Sequence, residues 1–308
     1  MPRYKIIVNP TADHGSAEKA IPQIEKMLTD LGLNFELVRT SEKGDGIQMA
    51  YQAALEGVDV VVAAGGDGTI NEVLNGLIKA QGEGFEPILG VICAGRGNDF
   101  AAGPGIPGDI PGCCLALKEL HRKRIDIGRV TGGIYPDGRY FANNVGVGFD
   151  AIGTIEVAKL PPWGFLSFLI AILKTIFIYY KGPVIQVDYD DQSMTTDTLM
   201  FLTMNGRRMG NGFQMAPDSI MDDGLFDLVL AKQVSRMRIF SLIPHFMKGT
   251  QASQPEISSW RASRVTITAV EGSLPAQSDG EIICVDGSRL EIEMLPKQIE
   301  VICSPTAK

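Results

Sequence analysis

The chain has 308 residues, 45% hydrophobic and 21% charged, the composition of a folded protein with room for two domains of ordinary size. A net charge of −8 and a pI near 5.0 argue against nucleic acid as the main partner and against wholesale electrostatic adhesion to anionic membranes, while leaving room for a local basic face. The 5 cysteines (Cys93, Cys113, Cys114, Cys284, Cys303) show no paired metal spacing, and Met1-Pro2-Arg3-Tyr4-Lys5 runs into a strand without a signal-peptide core, so reduced thiols and a cytoplasmic location are expected.

Tyr4–Val8 reads as a first strand, closed by the turn pair Asn9-Pro10. The loop from Asn9 to Gly15 then lies at the carboxyl end of that strand, where open α/β sheets bind ligands. Ser16 is placed to cap a helix that carries Ile21, Ile24, Leu28 and Leu31 and closes at Gly32, with Pro22 kinking it or marking its first turns. Phe35–Val38 is a second strand, Thr40–Asp45 a loop, and Ile47, Ala50, Ala54 and Leu55 belong to a second helix.

The stretch around which the chain is organised follows. Val58–Ala64 is a valine-rich run of the kind buried on both faces of a parallel sheet. It leads into Gly65-Gly66-Asp67-Gly68-Thr69, after which Ile70, Val73, Leu74, Leu77 and Ile78 share one helical face. Thr69 and Glu72 have capping-box spacing, which predicts a helix start at Thr69. Three glycines around one aspartate let backbone approach a ligand and aim N–H groups at phosphate oxygens. Asn71 stands where a dinucleotide fingerprint needs its third glycine, and no lysine follows Gly68 as a Walker loop requires. Pro87–Ile92 is another buried strand, followed by Ala94-Gly95-Arg96-Gly97-Asn98-Asp99-Phe100. Alternation of strand and helix predicts a doubly wound parallel sheet over residues 1–124.

From Ile125 the period changes. Ile125, Ile127 and Val130 with Tyr135–Tyr140 as the turn predict an antiparallel hairpin. Further strands are expected at Val184–Tyr189, Leu199–Met204, Phe226–Leu230, Val265–Ala269, Leu290–Met294 and Ile299–Ile302, with one helix over Met237–Met247. Residues 125–294 are thus a β-sandwich-like domain, and the tail 295–308 packs back on the first domain. Trp163–Tyr180 is almost wholly apolar, broken by Ser167, Lys174 and Thr175. A single span there would put the two halves on opposite membrane faces, so no transmembrane span is expected. The segment is either a buried helix or one facing a lipid substrate or the bilayer interface.

Gly65–Val73, with Asn9-Pro10 upstream and Gly95-Arg96-Gly97-Asn98-Asp99-Phe100 downstream, resembles the catalytic domain of soluble bacterial diacylglycerol kinase-type lipid kinases, a group that includes sphingosine and ceramide kinases. The resemblance extends through Arg124–Gly128, Phe141-Ala142-Asn143, Gly148-Phe149-Asp150-Ala151, Asp222-Asp223-Gly224 and Asp279-Gly280-Glu281. It implies ATP bound between the two domains, with transfer of its γ-phosphoryl to a lipid hydroxyl at a membrane surface. Asn9, Pro10, Thr11, Ala12 and Asp13 would form a first phosphate loop, with Thr40 near the nucleotide. Gly65, Gly66, Asp67, Gly68, Thr69, Ile70 and Asn71 would form the main one. Arg96 stands where many members have a nucleotide-contacting threonine, and Asn98 and Asp99 match the motif. Asp67 would hold the catalytic Mg2+ directly or through water, with Asp126 completing the network. Glu281 matches the family's general base, Asp279 being the second candidate. A structural Mg2+ would lie on Asp223 and the carbonyls of Ile220 and Leu225.

Two rival readings share the motifs. An NAD kinase uses a similar Gly-Gly-Asp-Gly loop, and a non-catalytic lipid-binding regulator could keep the fold. The edge strands of the β domain allow a homodimer.

Overall fold

A computed structural model describes every residue except 96–97, 162–164, 180, 211 and 306–308. The chain divides into two compact units, residues 1–125 with 297–308, and residues 126–296.

The first unit alternates β1 (Arg3–Val8), α1 (Ser16–Asp30), β2 (Asn34–Arg39), α2 (Asp45–Leu55), β3 (Val60–Gly65), α3 (Asp67–Gln81), β4 (Ile88–Cys93) and α4 (Ile110–Glu119). Its strands run in the order β2-β1-β3-β4, all parallel, and Val301 adds a further parallel pairing to Leu89. Every residue of β3 and β4 is buried, as their unbroken apolar sequences require. Helices α1 and α4 pack on each other, as do α2 and α3. The strand order reverses between β1 and β3, which makes the loops after these strands the natural ligand crevice.

Two local expectations are corrected. Gly15, in the left-handed conformation, precedes α1, and Ser16 is already helical; Pro22 lies inside the helix. Helix α3 begins at Asp67 rather than Thr69: Gly66 takes the extended cap conformation (φ −104°, ψ −170°) and Thr69 is buried. Glu72 is therefore not a capping-box partner. It reaches across to α2, accepting the Gly44 N–H at 2.9 Å and the Gly46 N–H at 3.0 Å, donors left without helical partners at that helix's start.

The chain enters the second unit along β5 (Arg122–Gly132) and continues through β6 (Tyr135–Phe141), β7 (Asn144–Gly148), α5 (Phe149–Ala158), α6 (Phe165–Ile178), β8 (Val184–Tyr189), β9 (Gln192–Asp197), β10 (Met200–Met204) and β11 (Phe226–Ala231). Then follow α7 (Arg236–Lys248), β12 (Ile257–Ala262), β13 (Arg264–Glu271), β14 (Leu274–Ser278), β15 (Glu281–Gly287) and β16 (Arg289–Ile302), whose last residues rejoin the first unit. One antiparallel sheet has the order β12-β11-β10-β7-β14-β15. The facing layer pairs β9 with β8, β8 with β13, and β13 with residues 289–293 of β16. Val145, Val147, Phe201 and Leu228 of one layer meet Ile185, Val187, Val265 and Ile267 of the other in a single apolar core, which makes this unit a β-sandwich.

The hairpin expected after Ile125 forms, but its reversal differs. Tyr135–Phe141 is strand, and the chain turns at Gly132 (φ 130°) and Gly133 (φ 56°), the residues able to take positive φ. Pro136 and Asp137 instead sit exposed on a strand that pairs only with β5. Leu290–Met294 and Ile299–Ile302 are one strand, passing through Lys297 at φ 49°.

Of Trp163–Tyr180, Trp163 and Tyr180 lie outside the described residues; the interior forms the 14-residue helix α6. Among the described residues no helix is long and apolar enough to cross a membrane. Ala171, Thr175 and Ile176 are buried, while Leu166, Phe177 and Ile178 are exposed.

Candidate active site

Four loops meet at the carboxyl edge of the parallel sheet. After β1, Asn9 Oδ1 accepts the Thr11 N–H at 3.1 Å and the Thr11 hydroxyl at 2.8 Å, a side-chain turn that holds Pro10 and Thr11 in place. Ala12 and Asp13 continue into a short 3-10 turn. After β2, the Thr40 N–H donates to Val8 O at 2.9 Å and Thr40 is buried. β3 ends on Gly65 and Gly66 follows it, and a Cβ on Gly95 would overlap the Gly66 backbone. The Gly65-Gly66 turn and the Gly95–Asp99 loop can approach this closely because neither carries a side chain there.

Asp67 joins the same two loops. Its Oδ2 accepts the Asp99 N–H and its Oδ1 the Phe100 N–H, each at 3.1 Å. It also stands in the first turn of α3, at the positive end of a 15-residue helix. Gly68 next to it is exposed, and a Cβ there would meet no atom within 4 Å, so open space lies beside the first turn of the helix. Asn98 Nδ2 donates to Gly95 O at 3.0 Å, and its Oδ1 is buried with no donor among the described residues. Ile70 and Asn71 are buried in α3, and Asn71 accepts from Asn75 Nδ2 through its carbonyl at 2.8 Å and through Oδ1 at 3.1 Å. Arg96 lies outside the described residues.

In the second unit, Asp279 (φ 46°) and Gly280 (φ 83°) are the two central residues of the β14–β15 hairpin, with Ser278 paired to Glu281. Positive φ at both positions is the I′ arrangement that an Asp-Gly pair favours. The Asp279 carboxylate is engaged three times: Oδ2 accepts the Ala142 N–H at 2.8 Å, and Oδ1 accepts those of Asn143 at 3.0 Å and Asn144 at 2.9 Å. Glu281 follows on β15 with a side chain 16% exposed; Tyr135 Oη donates to its Oε2 at 3.3 Å, and Arg139 Nη2 is 3.8 Å from the same oxygen. Tyr135 and Arg139 carry no motif signal in the sequence. Their even spacing on β6 puts them on one face of that strand, but nothing local names Glu281 as their target.

Asp126 is fully buried. Its Oδ2 accepts the Gly224 N–H at 2.7 Å, its N–H donates to Met221 O at 2.7 Å, and Asn205 Nδ2 donates to its carbonyl at 2.9 Å. It braces the 221–224 loop from beneath.

Comparison with known proteins decides the family. The diacylglycerol kinase catalytic domain matches residues 3–130, and the YegS C-terminal NAD kinase beta sandwich-like domain matches residues 143–303. The chain is 31% identical over 291 residues to a diacylglycerol kinase of Bacillus subtilis, covering 91% of this chain and 90% of that protein. It is 28% identical over 288 residues to one of Staphylococcus aureus, covering 91% and 86%. The chain belongs to the diacylglycerol kinase family. It is a lipid kinase. Two solved structures of Bacillus anthracis proteins assigned as diacylglycerol kinases share its fold, with TM-scores of 0.79 and 0.74 at 24% and 21% identity, covering 99% and 100% of this chain and 98% of each of theirs.

In this lipid kinase the loop proposed for a structural metal is built around an ion pair. Asp223 Oδ2 meets Arg261 Nη1 at 3.1 Å, Asp223 Oδ1 accepts the Leu225 N–H at 3.1 Å, and Arg261 Nε also binds Asp227 at 3.0 Å. Ile220 is exposed at the start of that loop. Among the described residues no group of three or more His, Cys, Asp or Glu side chains is placed to share a metal. A cation here would compete with Arg261 for Asp223 and lean on main-chain carbonyls.

Proposed function

We propose that this kinase transfers the γ-phosphoryl of ATP, with Mg2+, to the hydroxyl of diacylglycerol or a related lipid, giving a phosphatidic acid-type product. The observation that carries the reading is the placement of Asp67: a carboxylate at an open helix N-terminus, tied to two glycine-rich loops at the carboxyl edge of a parallel sheet. The first N–H groups of a helix suit phosphate oxygens, but Asp67 would repel them unless a hard cation lay between. An oxygen-only donor set with a single carboxylate fits Mg2+, which takes one or two carboxylates and completes its shell with water and phosphate. Mg2+ at this position neutralises the charge on the transferring group. The orphaned Asn98 Oδ1 offers an acceptor to a donor of the nucleotide or its water.

The remaining roles follow from which oxygens are spoken for. Three main-chain N–H groups engage Asp279, so it shapes the turn, and Glu281 is the residue that takes the proton from the lipid hydroxyl. The enzyme works in the cytoplasm and meets its lipid at a membrane surface. Support for this comes from exposed Leu166, Phe177 and Ile178 on α6 and Met237 on α7. There Arg236 donates to Ile176 O at 3.3 Å and lies 5.9 Å from the Phe177 ring, an apolar edge with a cation beside it.

The test is transfer of labelled phosphate from ATP to a panel of diacylglycerol, phosphatidylglycerol and sphingoid bases in mixed micelles, with NAD as a separate acceptor. Diacylglycerol is expected to be phosphorylated only with Mg2+ present, and Asp67→Asn to lose roughly 100- to 1,000-fold in kcat. Full activity of Asp67→Asn on every accepted lipid would remove the assignment.

A further inference from the structure

Asp150, in the first turn of α5, has no part in the reading above. Its Oδ2 accepts from Gln277 Nε2 at 2.6 Å, and the same nitrogen donates to Asn144 Oδ1 at 2.7 Å. Both protons of the amide nitrogen are thereby used. A flipped amide would set its oxygen against two acceptors, so Gln277 Oε1 is committed to the opposite side. There it accepts the Gly280 N–H at 2.7 Å. Gly280 is the second central residue of the turn, and Glu281 is the next residue along the chain.

The room for this chain of bonds is specific. A Cβ on Gly146 of β7 would overlap Asp150 Oδ2 and come within 2.9 Å of Gln277 Nε2. Gln277 is 1% exposed, so no water competes for its amide. Asn144 belongs to both clamps on the turn, since its N–H also binds Asp279 Oδ1. Asp150 is half-buried. Burial pushes its carboxyl up to about 6, only partly opposed by the Gln277 hydrogen bond, and no basic group contributes. An acid kept without a cationic partner among the described residues, at a cost to stability, points to work rather than packing.

We propose that Asp150 is a positioning residue for phosphoryl transfer, aiming Glu281 through Gln277 and Gly280. The proposal rests on the reading of Glu281 as the proton acceptor. Asp279 fixes the first central residue of the turn to the 142–144 backbone, and the Asp150–Gln277 pair fixes the second. Loss of either fixation lets the Glu281 carboxylate wander from the hydroxyl it must meet, and small misplacements cost rate rather than binding.

Steady-state kinetics of the full chain on diacylglycerol micelles test this with Asp150→Ala, Asp150→Asn, Glu281→Gln and the double variant Asp150→Ala/Glu281→Gln. Asp150→Ala is expected to lower kcat about 10- to 100-fold with both KM values held within about twofold. Asp150→Asn, whose Oδ1 still accepts from Gln277, should recover most of that loss. On the Glu281→Gln background the alanine should cost less than about twofold more, because the aim of an absent base no longer matters. Full kcat for Asp150→Ala, or an undiminished loss on the Glu281→Gln background, would overturn the relay while leaving a slow Glu281→Gln as support for the base. A Glu281→Gln enzyme at full rate would remove the base assignment and the relay together.

Discussion

The Gly66-Asp67 turn and the Asp279-Gly280 turn use the same two residue types in opposite order, and in both the aspartate accepts main-chain N–H groups from a second loop. Their surroundings separate them. Asp67 accepts the Asp99 and Phe100 N–H groups and stands in the first turn of a 15-residue helix, beside exposed Gly68. Asp279 takes three and sits inside a two-residue hairpin whose φ values only a few residue types tolerate. On the proposed reading the first turn uses its acid to meet a ligand, while the second uses its acid as a fastener and presents the next residue, Glu281, for chemistry.

That contrast can be broken at either end. The largest expected effect is the loss of transfer in Asp67→Asn, accompanied by a smaller cost in stability of about 1 kcal/mol, because the single amide oxygen keeps one of the Asp99 and Phe100 N–H groups while the amide nitrogen faces the other. Asp279→Asn should do the reverse in part, lowering the stability of its own unit by about 2–3 kcal/mol as three N–H groups lose a charged acceptor. Both tryptophans, Trp163 and Trp260, fall within residues 126–296, so urea unfolding followed by their fluorescence reports on that unit. Far-UV circular dichroism, which sees both units, should show a clearly larger loss of stability for Asp279→Asn than for Asp67→Asn. Equal shifts would erase the distinction between the two turns.

Asp150 sharpens the comparison through pH. Its folded pKa, about 6, lies above the ordinary value of 3.8. The folded state therefore binds this proton more tightly, and the stability it contributes is fully present below about pH 4 and lost as pH rises through about 6. Asp150→Asn should accordingly stabilise the second unit by about 1–2 kcal/mol at pH 7.5, less than the ceiling of about 3 kcal/mol set by a two-unit shift, and by almost nothing at pH 4. Fluorescence-detected unfolding at the two pH values checks this, and a difference that does not change with pH would contradict it. The smallest effect belongs to Glu72→Gln, which weakens the cap it supplies to α2 by about 0.5–1 kcal/mol. Far-UV circular dichroism should register that loss with the tryptophan transition unmoved.

Strands with their own apolar signal were legible in the sequence. Val184–Tyr189 occurs with the expected bounds, and β10, β11 and β13 lie within two residues of theirs. Strands that borrow their order from neighbours were not. Gln192–Asp197 is mostly polar and exposed, and it exists because β8 offers it an edge. Asn144–Gly148 is buried throughout yet contains two glycines, which read as loop in isolation. In the fold those glycines leave room for the Asp150 carboxylate and the Leu199 carbonyl. Helix α4 had a readable start, Asp109 accepting the Gly112 N–H at 2.8 Å with a proline in the first turn, but Ile-Pro-Gly at its head hid it.

By itself the sequence determined what depends on neighbours within a few residues. A valine-rich run followed by Gly-Gly-Asp-Gly must be a strand, a tight turn and a helix start, and Asp-Gly reads as a turn, because backbone sterics and local burial leave few other choices. Only the tertiary structure decided which oxygens those turns leave available. The donors that engage Asp279 lie 135 to 137 residues away in the chain, and the phenol that meets Glu281 lies 146 away. Asp67 and Glu72 likewise find their partners across 26 to 33 residues, on a separate loop and a separate helix. Hydrogen bonding satisfies buried polar groups from whichever backbone the packing brings near, and that packing is a property of the whole chain.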